Sequence, residues 1–325
     1  DGHGNKPDID LVCLQQGSNV RRIVDQQLHL ILHQPLLKTV NKRFGIQVTY
    51  RTHLYLLCQL AYFCVQMYSN PMDLNQLTAI SPIDGRYRKQ VQHLAEYFSE
   101  YALIRYRVLV EVEYFLFLAE KRFFKLDAHT KKQLQKAIDE FSLQDAEAIK
   151  KTESITNHDV KAVEYFLKGI LDKAGAGHLK EWVHFGLTSQ DINNTAIPLL
   201  WKNCIELDYL PSVINLQHAI GNLALAWKDV PMLARTHGQP ASPTKLGKEM
   251  MVFVERLENQ IQLFSYIPFM GKFGGATGNF NAHQVSFPKY NWTKFANGFL
   301  ETKLGLQRQQ YTTQIEHYDT LAAHF

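Results

Sequence analysis

A long apolar run places the strongest constraint on the fold of this chain. Tyr101 to Lys121 contains neither proline nor glycine, and a helix drawn through it is apolar around most of its circumference. Alternating patterns typical of strands are almost absent from the chain. The sequence therefore predicts an all-α fold of long antiparallel helices. A second apolar stripe at helical spacing runs through Leu246, Met250, Phe253, Leu257, Ile261 and Phe264.

Capping residues and prolines divide the rest of this region into further helices. Asp127 is a typical N-cap residue, and Ser142 followed by Asp145 is another. After Asn157 the apolar positions keep helical spacing until Gly175, a typical helix end. The remaining predicted helices are Ser189 to Trp227, bent or interrupted at Pro198 and Pro211, and Pro243 to Ile267.

The first part of the chain differs in composition from the rest. Residues 1–71 hold three of the four cysteines and none of the four tryptophans. The break falls at Pro71 and Met72. We therefore expect an unassigned extension (1–71), native or not, followed by the main region (72–325).

Charge and hydropathy argue against two classes of partner. The net charge is only +4 and no basic block lies behind it, so no nucleic-acid partner is expected. The uncharged segment Leu54 to Tyr68 is shorter than the roughly 20 residues of a membrane span, so no membrane partner is expected either. The lone Cys204 of the main region favours a reducing compartment, and we expect a cytoplasmic protein.

Polar sequence between the helices supplies the candidate site residues. His237 lies beside Gly238 in the segment Arg235 to Pro240, and its imidazole is suited to proton transfer near neutral pH. For this hexapeptide alone, an ordinary surface-loop histidine is the commoner interpretation. Gln239 in the same segment is a candidate for substrate binding.

Two predicted helix starts are candidate anion sites. Asn157, His158 and Asp159 open one helix, and Thr188 and Ser189 open another, where free backbone amides favour a phosphate or carboxylate. Asp159 could also orient or charge its neighbour His158. Plain helix capping, by Asn157 in the first case, explains either segment equally well.

Two further segments carry weaker signals. Arg86 and Tyr87 form a turn in which a guanidinium and a phenol could hold an anion, although exposed turn arginines are common. The loop Gly274 to Gly278 lacks the lysine and the preceding strand of a phosphate-binding loop, and it can be a simple mobile connection.

Metal and nucleophile motifs are missing from the sequence. It contains no Cys-x-x-Cys pair, no His-Glu-x-x-His and no serine-centred nucleophile elbow. The remaining class of catalytic chemistry is acid–base chemistry without a metal or organic cofactor.

Taken together, these segments resemble the adenylosuccinate lyase family of the fumarase/aspartase superfamily. The resemblance covers nearly all of residues 72–325 and none of 1–71, and the segment 157–167 is specific to the adenylosuccinate branch. The segments occur in the family's order and approximate spacing: Ser81 to Tyr87, Asn157 to Leu167, Thr188 to Asn194, Arg235 to Ala241 and Tyr311 to Glu316.

This resemblance implies a cofactor-free β-elimination of fumarate from adenylosuccinate, giving AMP, and from SAICAR, giving AICAR, in purine biosynthesis. A base removes a proton beside a carboxylate, an acid protonates the departing nitrogen, and fixed donors hold the carboxylate on which charge builds. The implied roles are general acid for His237, a position near the reacting groups for His158 and Asp159, phosphate binding for Arg86 and Tyr87, carboxylate binding for Thr188 and Ser189, and substrate contact for Asn157, Gln239 and Gln314.

Two departures from the family pattern limit what the resemblance implies. The flexible signature loop that carries the family's catalytic serine base occurs nowhere in residues 1–325, so we expect this chain to be inactive alone. After Glu316 the family has Pro-His-Asp, whereas this chain has His317, Tyr318 and Asp319.

The resemblance also implies the domain organisation, an N-terminal helical domain (72–185) followed by an incomplete, truncated central helical bundle domain (186–325). It further implies a homotetramer in which each active site takes loops from three subunits. A non-catalytic helical assembly protein, derived from a truncated lyase scaffold, is the alternative function for this chain.

Overall fold

The computed structural model describes Thr78, Ile80 and residues 84–324, with the side chains of residues 84–86 left out. The expectations for residues 1–71, including Leu54 to Tyr68, lie outside the described residues. No helix in the described part is both long enough and apolar enough to cross a membrane.

Helices dominate this part of the chain, as the sequence predicts. The α-helices are α1 (Asp84–Val91), α2 (Ala95–Phe98), α3 (Glu100–Glu120), α4 (Ala128–Asp139), α5 (Leu143–Thr156), α6 (Asp159–Lys173), α7 (Ser189–Cys204), α8 (Leu210–Ala226), α9 (Leu246–Phe264), α10 (Asn281–Ser286), α11 (Trp292–Phe299) and α12 (Asp319–Ala322).

Shorter elements connect these helices. The 3₁₀ helices are Gln92–Leu94 and Gly177–Trp182, and the π-helices are Ile205–Tyr209 and Leu300–Leu304. The strands form two small sheets, one antiparallel with β1 (Pro231–Thr236) and β2 (Gln239–Lys245), and one parallel with β3 (Met270–Gly271) and β4 (Gln307–Arg308).

The described chain separates into two compact units. The first contains residues 115–183, with the end of α3 and the helices α4 to α6. The second contains residues 84–114 and 184–324. The sequence-based boundary after residue 185 differs from this division because residues 84–114 join the second unit. The predicted domain limits therefore stay a prediction.

The first unit is held by capped helices around a small core. The Asp127 carboxylate accepts hydrogen bonds from the Thr130 hydroxyl at 2.7 Å and from the Thr130 amide at 2.8 Å, and both lower the pKa of Asp127. Ser142 and Asp145 form a reciprocal capping box at the start of α5. Both predicted caps are confirmed. The buried apolar side chains of this unit include Leu134, Ile149, Val160, Val163, Leu167 and Leu171.

The second unit packs aromatic side chains around the buried face of α3. Tyr114 contacts Phe273, Phe295 and Phe299 edge-on, with ring centroids 5.2 to 6.1 Å apart, as is usual for such pairs. The apolar stretch of α3 is therefore covered within the described chain. Its buried residues include Ile104, Val108, Val110 and Val112.

Helices α8 and α9 form an antiparallel pair joined by the β1–β2 hairpin. The Gln217 amide ties them together by donating to the Val254 carbonyl oxygen and to the Glu258 carboxylate. Gly247 is required at the base of the hairpin, because a Cβ there would lie 2.3 Å from the Ala224 carbonyl oxygen. Much of the apolar surface of α9 stays exposed, including Phe253 and Leu263.

Candidate functional site

His237 lies at the tip of the β1–β2 hairpin. The sequence predicts an irregular loop here, between one helix that ends at Trp227 and another that starts at Pro243. Instead, the helices end at Ala226 and begin again at Leu246, and the residues between them pair as two strands. The hairpin turns through His237 and Gly238, both with positive φ (47° and 75°), as in a type I′ turn.

This position leaves the His237 imidazole exposed to solvent. Within the described chain, the side chain of His237 makes neither a hydrogen bond nor an ion pair. Gln239 is the first residue of β2, pairs with Thr236 and is exposed as well. The hairpin therefore presents its two candidate residues outward at the end of a two-helix arm.

Thr188 and Ser189 lie at the start of α7, where the structure builds a dense polar cluster. Thr188 is the N-cap residue, and its amide donates to the Asp191 carboxylate at 2.9 Å. Asp191 is completely buried and also accepts the amides of Gly274 and Gly275 and the ammonium of Lys272, which lies 2.7 Å away. The start of α7 is thus a cap with more partners than capping needs.

The glycine loop 274–278 is part of this cluster. The expectation of a mobile connection is wrong, since Gly274 and Gly275 are buried and both of their amides bond to Asp191. Gly275 and Gly278 have positive φ of 78° and 80°, which explains why glycines stand here. At its far end the loop runs close to Thr312, because a Cβ on Gly278 would lie 2.6 Å from the Thr312 carbonyl oxygen.

Gln314 is exposed on the segment that follows Thr312. Two residues later, the amide of Glu316 donates to the Asn194 side chain of α7 at 3.2 Å. Asn194 also donates to the hydroxyl of Tyr318, one of the residues at which this chain departs from the family pattern. The structure therefore brings Thr188, Ser189 and Gln314 into one neighbourhood around the first turns of α7.

Asn157, His158 and Asp159 lie in the first unit, between α5 and α6. Asn157 ends α5 in the left-handed conformation (φ 52°), and His158, not Asn157, caps α6 by accepting the Lys161 amide on Nδ1 at 3.1 Å. The Asp159 carboxylate oxygen lies 3.7 Å from the same nitrogen, and the His158 ring is half-exposed.

Arg86 and Tyr87 belong to α1 instead of an open turn. The Tyr87 side chain is exposed, while the side chain of Arg86 lies outside the described part. Among the residues that the structure describes, no group of three His, Cys, Asp or Glu side chains is arranged to hold a metal ion.

Sequence reasoning missed a hydrogen-bonded pair of a histidine and a buried carboxylate, four residues before Thr188. His184 has a positive φ of 58°, and its Nδ1 lies 2.5 Å from Oε1 of Glu111 on α3. The Glu111 carboxylate is buried, and its Oε2 finds no hydrogen-bond partner in the described chain. An acidic residue within the apolar stretch Tyr101 to Lys121 was the available signal, because such a carboxylate is buried only with a partner.

A buried histidine, His283, lies against the same region. Its Nε2 is 3.1 Å from the Tyr114 hydroxyl, which donates to the Phe185 carbonyl oxygen at 2.7 Å. The ring packs directly on Gly186. Burial lowers the pKa of His283 to about 4. This agrees with the surroundings of Nδ1, which has no hydrogen-bond partner in the described chain and would have no acceptor if it were protonated. His283 is therefore neutral at physiological pH.

Comparison with known proteins assigns this arrangement to a family. Residues 85–325 match the family model described as lyase. The adenylosuccinate lyase of Dictyostelium discoideum is 52% identical over 262 residues, which cover 78% of this chain and 56% of that protein. The adenylosuccinate lyase of Escherichia coli K12 is 42% identical over 259 residues, covering 78% and 57%.

Solved structures support the fold alone. A fumarate lyase from Mesorhizobium superposes with a TM-score of 0.57 at 21% identity, covering 78% of this chain and 54% of that one. The 3-carboxy-cis,cis-muconate lactonizing enzyme from Pseudomonas putida gives a TM-score of 0.54 at 19% identity, covering 76% and 52%. The chain spans about half the length of the curated relatives that it matches.

Proposed function

Because this chain belongs to the lyase family, we propose that the protein containing it eliminates fumarate from adenylosuccinate to give AMP, and from SAICAR to give AICAR. The observation that carries the proposal is the 52% identity to an adenylosuccinate lyase over most of the chain. The candidate residues support it, since they supply an exposed imidazole, amide-rich helix starts and polar side chains suited to a substrate with carboxylate and phosphate groups.

The proposed reaction is an anti elimination that needs two proton transfers. A base removes a proton from the succinyl carbon next to a carboxylate, the carbon–nitrogen bond breaks, and an acid protonates the departing nitrogen. We assign the acid to His237, whose exposed ring at the hairpin tip is free to approach a substrate. The base is the serine of the family's signature loop, which does not occur in residues 1–325.

Binding of the substrate is assigned to the remaining candidates. Thr188 and Ser189 hold the succinyl carboxylates, for which the start of α7 offers their two hydroxyls and a favourable helix dipole. Arg86 and Tyr87 hold the phosphate. Asn157, His158, Asp159, Gln239 and Gln314 complete the contacts with the substrate.

We further propose that the protein is a cytoplasmic homotetramer of purine biosynthesis. Support for association comes from the α8–α9 arm, which carries exposed apolar residues along both helices and at the base of the hairpin. An exposed apolar surface of this kind is typical of an interface. The exposed residues include Leu216, Leu223, Leu225, Val230, Val252, Phe253 and Leu263.

The test is a substrate comparison with the protein expressed from its complete gene. Fumarate release is measured spectrophotometrically with adenylosuccinate, SAICAR, argininosuccinate and malate. We expect turnover with the first two and none with the others. Turnover of argininosuccinate or malate in place of adenylosuccinate would contradict the branch assignment, and no turnover from a well-folded tetramer would favour the non-catalytic assembly protein.

A further inference from the structure

A fully buried ion pair joins two distant parts of the second unit. The Lys272 ammonium and the Asp191 carboxylate are both completely inaccessible, and Nζ lies 2.7 Å from Oδ1. Replacing a buried ion pair by apolar side chains often leaves stability unchanged or improves it. Stability is therefore a weak explanation for this pair.

Every group around the Asp191 carboxylate is a donor. Oδ1 accepts the Lys272 ammonium and the Gly274 amide at 2.8 Å, and Oδ2 accepts the amides of Gly275 at 3.0 Å and Thr188 at 2.9 Å. One carboxylate thus fixes the N-cap of α7 and the start of the glycine loop at the same time. An ionised carboxylate suits this role because it offers acceptors only.

Lys272 fixes the same loop from the opposite side. Its ammonium donates to the Gly275 carbonyl oxygen at 2.6 Å. Its backbone is bonded to α7, through the amide to Asn194 O at 3.2 Å and through the carbonyl oxygen to the Thr195 hydroxyl at 3.0 Å. The glycine loop is therefore held by both members of the ion pair and cannot shift independently of the start of α7.

From this geometry we infer that Asp191 and Lys272 are positioning residues for the carboxylate-binding part of the site. They touch no substrate. They hold the Thr188 amide and the glycine loop in one arrangement, so that Thr188 and Ser189 present their donors without rearrangement when a dicarboxylate binds. This inference rests on the proposed function, in which Thr188 and Ser189 bind the succinyl carboxylates.

The test compares two product inhibitors in the Asp191→Asn variant of the protein expressed from its complete gene. Asparagine has the same shape but turns an amino group toward the Thr188 or Gly275 amide, so two donors face each other. We expect the inhibition constant of fumarate to rise about tenfold, while that of AMP, which lacks the succinyl carboxylates, changes less than about twofold. The loss of kcat should accompany the weaker binding of fumarate.

A matched control separates positioning from stability. Asp145 makes the same contact at the start of α5, where its carboxylate accepts the Ser142 amide at 2.9 Å. Asp145→Asn should lower the melting temperature and leave the ratio of the two inhibition constants unchanged. If Asp191→Asn fails to fold, Thr195→Val removes one bond of the same cluster, and a smaller rise in the fumarate constant alone is expected.

The inference is overturned if the foldable variant lowers stability but weakens fumarate and AMP equally, or weakens neither. These outcomes differ from failure of the proposed function, which would appear as a wild-type protein without fumarate release. In that case both the function and the positioning role are wrong.

Discussion

The hairpin tip and the start of α7 are built in opposite ways, although both carry candidate site residues. At the tip, His237 is exposed, and it forms the turn together with Gly238, both with positive φ. At the start of α7, the Thr188 amide is fixed by Asp191, which is itself completely buried and bonded to several donors. The first region exposes a reactive side chain, and the second holds its polar groups in a fixed arrangement.

This difference indicates which part of the site depends on groups beyond those described. The cluster around Asp191 satisfies its own polar groups, so it needs no further chain to hold its shape. The His237 imidazole has no orienting partner in the described chain, and a general acid is effective only when it is held within hydrogen-bond reach of its target. We therefore expect catalysis to depend on additional chain or additional subunits, and dicarboxylate binding to depend on them less.

The largest expected effect follows from isolating residues 1–325. This chain should show no measurable lyase activity, because the serine loop that supplies the base is not among its residues and His237 has no orienting partner. The check is fumarate release at high enzyme concentration, with size-exclusion chromatography in parallel. Turnover by a monodisperse tetramer of residues 1–325 would show that another residue serves as the base.

The next largest effect concerns the acid itself. In the complete protein, His237→Ala should lower kcat by roughly 10²–10⁴-fold, the usual contribution of a positioned acid or base. The control is His129→Ala, which removes another exposed histidine in the first turn of α4. A His237→Ala variant with normal kcat and a raised KM would assign this residue to substrate binding instead.

The same two regions show which structural features can be predicted from the sequence alone. The helices and the caps at Asp127 and Ser142 were predictable, because helical periodicity and capping are local properties. The hairpin was not, since its strands contain prolines and are exposed on both faces, so they lack the alternation that marks a half-buried strand. The His237–Gly238 turn was the one local signal.

The cluster at α7 could be predicted only in part. A helix cap can be predicted here, because Thr188, Ser189 and Asp191 lie within four consecutive residues. Lys272 is 81 positions away from Asp191, and nothing local indicates that its ammonium is buried. Contacts at such separation are set by how the chain folds back on itself, and a single sequence carries no signal for them.

A third prediction tests how tightly the region beside α7 is packed, through the buried His283. Its pKa of about 4 in the folded protein lies below the usual 6.5, so the unfolded chain binds more protons between these values. The contribution of His283 to the free energy of unfolding is therefore fully present above pH 6.5. It is lost as the pH drops toward 4, and the loss amounts to roughly 3 kcal/mol at most.

The measurement is the free energy of unfolding between pH 7 and pH 4.5, for the wild type and for His283→Gln. The variant should be less stable at pH 7 and should show a shallower pH dependence, because the titrating group is gone. His129→Gln, which removes an exposed histidine, should keep the wild-type slope. An unchanged slope in His283→Gln would mean that this ring is accessible to protons in the folded state.

The smallest expected effect compares two glycines with the same backbone conformation. Gly238 at the hairpin tip and Gly175 after α6 have φ of 75° and 76°, and an added Cβ would meet no atom within 4 Å at either position. Alanine at each position should therefore lower stability by a similar amount, about 1–2 kcal/mol. The cause in both cases is the left-handed backbone conformation, because neither site has a steric clash. Only Gly238→Ala should also lower kcat, since relaxing this turn displaces the neighbouring His237. Chemical denaturation gives the first quantity and steady-state kinetics the second. Equal kcat values for the two variants would show that the turn does not set the position of the imidazole.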